Sequence, residues 1–117
     1  MKTDNVVVEK SKAFALRIVE LYQYLIVEKR EFVLSRQVLR SGTSIGANVK
    51  EAIRGQSKSD FYAKMNIALK EASETEYWLE LLQESNFITD SSFGSVYYDC
   101  QEVLKILTAI TKNQNNG

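Results

Sequence analysis

Few side chains in these 117 residues could do chemistry, and they are unevenly spread. There is no histidine, so the commonest general base and metal ligand is missing. The one cysteine, Cys100, cannot make an internal disulfide or a zinc cluster. It falls on an apolar stripe, where a buried, inert thiol is expected. A di-iron bundle needs Glu-x-x-His pairs, and no histidine is available to make them. The stretch Gly42-Thr43-Ser44-Ile45-Gly46 lies within a helical period and lacks the lysine of a phosphate-binding loop. Glu71, Glu74, Glu76, Glu80 and Glu84 have the spacing of a solvated helix face. Neither catalysis nor a cofactor nor a metal is expected.

Charge is the chemistry that remains. The 15 basic and 15 acidic side chains cancel overall, yet residues 1–70 hold 13 of the basic and 7 of the acidic ones. The first part therefore carries +6 and the remainder −6. At about 100° per residue, Arg36, Arg40, Lys50 and Arg54 fall within roughly 40° of one direction on a single helix. Leu34, Val38, Ile45, Val49 and Ala52 point the other way. Thr43 and Ala47, both small, fill the gap in the basic stripe. Such a face can contact phosphates, or it can be a solvated surface paired with glutamates of a neighbouring helix.

These residues are positioned by helices. Proline is absent, glycine occurs at only five positions, and apolar residues recur every three or four positions. No alternating Val/Ile/Thr-rich run suggests a strand. We expect an all-α chain with helices over about 5–27, 32–54, 58–85 and 91–112. Asp4 or Asn5 would cap the first, Ser57 with Asp60 the third, and Thr89 or Asp90 the fourth. Glu28-Lys29-Arg30-Glu31 reads as a connection. The inward stripes are Phe14, Ile18, Leu21, Tyr22, Leu25 and Ile26; Val38, Gly42, Ile45, Val49 and Ala52; Phe61, Met65, Ala68, Ala72, Thr75, Leu79 and Leu82; and Phe93, Val96, Cys100, Val103, Leu107 and Ile110. Long helices with short connections run antiparallel, which predicts an up-down-up-down four-helix bundle. The polar tail, Asn113 to Gly117, is expected to fray.

Two features exceed what a lone bundle needs. Gly42 and Gly46 lie inside the second helix at a cost of about 1 kcal/mol each relative to alanine, so close packing of another backbone is expected there. Asn48, at the border of the same inward face, is a candidate for a bond across helices. On the third helix, Ile67, Trp78 and Leu81 lie well away from the inward stripe and, with Leu69 and Tyr77, suggest a face for another subunit.

One domain accounts for the whole length, and the 44% hydrophobic content argues against wholesale disorder. No apolar run approaches the roughly 20 residues of a membrane span, and no leader-like segment opens the sequence. A cytoplasmic protein without a membrane partner is the expectation.

The run Gln37-Val38-Leu39-Arg40-Ser41-Gly42-Thr43-Ser44-Ile45-Gly46-Ala47-Asn48-Val49-Lys50-Glu51-Ala52, then Gln56-Ser57-Lys58-Ser59-Asp60-Phe61, resembles small bacterial proteins encoded in intervening sequences of 23S ribosomal RNA genes. Positions 67–82, from Ile67 to Leu82, resemble that family's third helix. The resemblance implies a four-helix bundle, often a pentameric ring or barrel, with no established enzymatic activity. It also implies a likeness in fold to the accessory protein of diversity-generating retroelements, a strongly basic protein that binds nucleic acid and a reverse transcriptase. The functional expectation is a non-catalytic homo-oligomer engaging RNA or DNA backbone through Arg36, Arg40, Lys50 and Arg54. The alternative is a scaffold whose acidic third and fourth helices dock a basic protein partner.

Overall fold

The structure is a computed structural model that describes residues 2–115. Its four helices are α1 (Lys2–Val27), α2 (Leu34–Ile53), α3 (Lys58–Glu84) and α4 (Asp90–Lys112), followed by a 3-10 turn over Asn113–Asn115. Each helix packs on its neighbour in sequence, and α1 closes against α4. The result is the expected up-down-up-down bundle, 47 × 21 × 19 Å across its principal axes. The α1–α2 edge therefore lies opposite the α3–α4 edge.

The core is built from the apolar stripes anticipated above, with Leu21, Tyr22, Ile26, Phe61 and Phe93 only half-buried. Phe14, Ile18, Leu25, Val38, Ile45, Met65, Leu79, Leu82, Cys100 and Leu107 are all buried, and Val7 and Ile88 join them. One polar pair sits within it: the buried Thr75 hydroxyl donates to the carbonyl of Glu71 at 2.7 Å and accepts from the Ser41 hydroxyl at 2.8 Å. This satisfies a polar contact at the α2–α3 seam instead of leaving it orphaned.

The helix ends differ from expectation in informative ways. α1 starts at Lys2, so Asp4 and Asn5 lie within its first turns and not at its cap; no Gly or Pro there interrupts the helix. α2 starts at Leu34 because Glu31 reaches forward to its free amides. The Glu31 carboxylate accepts from the N–H groups of Val33 at 3.2 Å, Leu34 at 3.0 Å and Ser35 at 2.7 Å. These are the donors a helix start leaves unpaired, and the negative charge favours the positive end of the helix dipole. Arg30, in the left-handed region at φ 54°, turns the chain so that Glu31 can do this. Ser57 accepts from the Asp60 N–H at 3.0 Å, giving the serine half of the expected capping pair. Thr89 caps α4 by accepting from the Ser92 N–H at 3.1 Å. α3 ends in a left-handed Asn86, φ 65°, with the Phe87 N–H on the Leu82 carbonyl and the Asn86 N–H on that of Gln83. That pairing is the Schellman closure, with asparagine in the place usual for glycine. The tail is tied down as far as Gln114, whose Oε1 accepts from Asn66 Nδ2 at 3.0 Å.

The two glycines inside α2 have separate explanations. A Cβ on Gly42 would lie 2.8 Å from both γ carbons of Ile18, so a side chain of α1, not the expected backbone, fills that space. At Gly46 the neighbour is the backbone of Ser11, but at an ordinary 3.5 Å. Asn48 donates to the Ser44 carbonyl within its own helix at 2.9 Å and makes no cross-helix bond among the described residues.

Candidate functional site

The basic stripe of α2 divides in the folded chain. Arg40 leans onto α3, where it pairs with both Glu71, at 3.1 Å, and Glu74. Glu74 also accepts from Trp78 Nε1 at 3.2 Å, so one arginine, two carboxylates and an indole form a closed polar cluster. The neighbour-pairing reading therefore holds for Arg40. Arg36 is exposed near the start of α2, fourteen residues from Lys50, about 21 Å at 1.5 Å per residue.

Lys50 and Arg54 stand one turn apart near the end of α2 and meet Lys12 of α1. Together with Val8, Ser11, Ala15, Thr43, Gly46, Ala47 and Ile53, they line a groove of about 500 Å³ between the two helices. Among the described residues, no carboxylate lines it. None of the three cations enters an ion pair among the described residues. Lys12 escaped the sequence reading because its proximity to Lys50 depends on how α1 lies on α2. A second recess on the other side of the Lys50–Arg54 ridge is lined by Glu51, Asp60 and Lys64 as well. There Lys64 pairs with Glu51 at 3.0 Å.

The acidic half is less available than its count suggests. Besides Glu71 and Glu74, Asp99 pairs with Arg17 at 2.6 Å and Glu102 with Lys10 at 3.6 Å. Glu80 accepts from the Tyr97 hydroxyl at 2.6 Å, and that hydrogen bond, reinforced by burial and by Glu76, holds the phenol above its ordinary pKa. Glu76 also lines a groove with Lys105 and Lys112, so the α3–α4 edge mixes both signs.

The residues expected to meet another subunit are split as well. Ile67 is 41% exposed. Trp78 is half-buried against the core, and Leu81 is also half-buried. Cys100 is buried, and burial, followed by the charges of Glu76 and Glu80, pushes its thiol up to about 12. Among the described residues, no group of three or more Cys, Asp or Glu side chains is arranged to hold a metal ion. No helix is long and apolar enough to cross a membrane.

Fold and surface together define a small helical bundle with one basic groove. The chain belongs to the 23S rRNA-intervening sequence protein family, whose model matches residues 3–109. It is similar to a crystal structure of a protein of unknown function from the S23 ribosomal protein family of Bacteroides thetaiotaomicron VPI-5482. That similarity is 56% in sequence over 94% of this chain and 98% of the other, with a TM-score of 0.92. No curated protein matches the chain.

Proposed function

We propose that this chain is a non-catalytic binding protein that takes an anionic macromolecule on its α1–α2 face. One contrast carries the reading. Four carboxylates of α3 and α4, Glu71, Glu74, Asp99 and Glu102, are engaged by cations of the same chain, whereas Lys12, Lys50 and Arg54 gather round one groove that no carboxylate lines among the described residues. The same contrast weighs against a scaffold that docks a basic partner on the acidic helices. Arg40 drops out of the contact set, Arg36 becomes a peripheral contact, and Lys12 enters it.

Nucleic-acid backbone is one ligand of this kind, and the names of the family and of its solved relative, 23S rRNA-intervening sequence and S23 ribosomal protein, favour it. Three cations per chain make a weak site. Self-association would multiply them by raising effective concentration. Exposed Ile67 and Tyr77 beside half-buried Trp78 and Leu81 offer a second copy apolar surface, and the resemblance implies five copies. A cytoplasmic setting accords with the single, buried thiol.

Anisotropy titrations of a labelled structured RNA and of polyglutamate test the reading, with native protein beside Lys50→Glu/Arg54→Glu. At least one should bind at about 50 mM salt, weaken as salt rises, and be lost in the charge-reversed variant. Failure of both to bind native protein overturns the reading.

A further inference from the structure

We infer that the α1–α2 groove is a docking site for an acidic amphipathic helix of a partner protein. This rests on the reading that an anion binds there and specifies which kind. The floor decides between phosphate and peptide. Val8 is 37% and Ile53 42% exposed, and beside them the surface is made of the small residues Ser11, Ala15, Thr43, Gly46 and Ala47. A phosphodiester strand gains nothing from such a floor, and no aromatic ring lines the groove on which a base could stack. An amphipathic helix uses both parts, placing apolar side chains on the floor and carboxylates beside the cations on the rim.

The shape agrees with a helix. The α2 side of the groove runs from Thr43 to Arg54, about 16 Å at 1.5 Å per residue, or three turns. That is room for apolar anchors spaced i, i+4 and i+7. Gly46 is the independent observation. A Cβ there would sit 3.5 Å from the Ser11 carbonyl oxygen, an ordinary contact, so packing inside the chain does not require glycine. Interior helical glycine carries a cost, and what it gains at this position is depth in the groove floor.

The test uses the full chain and two fluorescent 18-residue probes of identical Leu/Glu/Ala composition, one with leucines at helical spacing and one scrambled, alongside a structured RNA. The ordered peptide should bind at least ten-fold more tightly than the scrambled one. Ala47→Trp fills the exposed floor without changing charge, and Lys50→Glu reverses the rim. Each should weaken the ordered peptide at least ten-fold, while circular dichroism reports that the variant is folded. Equal binding of both peptides, or binding indifferent to Ala47→Trp, overturns the inference and leaves the broader reading standing. RNA binding without peptide binding does the same. If light scattering shows Ala47→Trp dissociating an assembly that the peptide cannot enter, a second copy occupies the groove and the inference fails. If neither polyanion binds native protein, both readings fail.

Discussion

Gly42 and Ile18 are packed so closely that a β-carbon at position 42 would stand 2.8 Å from both γ carbons of the isoleucine. Ile18 is fully buried and branched at Cβ, which itself lies 3.2 Å from that point, so it cannot swing aside cheaply. The contact sets the approach of α1 to α2 and, with it, the distance across the groove that Lys12 and Lys50 flank.

Gly42→Ala should therefore lose about 1–3 kcal/mol by overpacking, even after the gain in helix propensity. Gly46→Ala, with ordinary space for its methyl, should be neutral or gain up to about 1 kcal/mol. Urea denaturation at fixed subunit concentration checks the pair. A higher midpoint for Gly42→Ala would show that Ile18 yields.

The apolar skeleton was legible in the sequence because it depends on one number, the helical period. Every α3 stripe residue from Met65 to Leu82 is buried as the spacing required, while Phe61, which heads the stripe in the first turn, is half-buried. What escaped were relationships between distant positions. Arg40 meets Glu71 and Glu74 thirty-one and thirty-four residues away, and no local pattern pairs them. Lys12 reaches the site only through the way α1 lies along α2. Glu31 looked like loop charge, since capping is usually sought in a Ser, Thr, Asp or Asn at the boundary. A longer carboxylate three residues before the first helical residue can do the same work.

Glu31→Gln should consequently cost about 1–2 kcal/mol, since it removes the charge and weakens three hydrogen bonds at the start of α2. Glu28→Gln, in the same connection without a capping bond, is the control and should stay within about 0.5 kcal/mol of native. Thermal unfolding followed by circular dichroism separates them. Equal effects would remove Glu31 from the account of where α2 begins.

The buried Ser41–Thr75 pair makes a non-additive prediction. Thr75→Val strands a polar group at the seam and should cost about 1–3 kcal/mol. Adding Ser41→Ala removes the orphan, so the double variant should recover part of that loss. A double-mutant cycle by chemical denaturation measures the coupling, and strict additivity would mean the hydroxyls do not depend on each other.

Cys100 predicts both reactivity and a pH dependence. Burial raises its pKa from 9.0 to about 12 in the folded chain, so the native thiol stays protonated where an unfolded one ionises. Between about pH 9 and 12 the unfolded state releases a proton that the folded state retains. This contribution to stability is full below pH 9 and lost as pH rises towards 12. Iodoacetamide at pH 8 should label Cys100 only on the timescale of unfolding; rapid native labelling would contradict the burial.

The central claim concerns place: an anionic partner meets the α1–α2 edge, opposite the acidic helices. Backbone amide chemical shifts, followed as polyglutamate is added at low salt, locate the contact most directly. The account predicts perturbations centred on Lys12, Gly46, Ala47, Lys50 and Arg54, retained in Arg40→Ala and abolished in Lys50→Glu/Arg54→Glu. Shifts centred on α3 and α4, or shifts that vanish with Arg40→Ala while surviving charge reversal at Lys50 and Arg54, would contradict it.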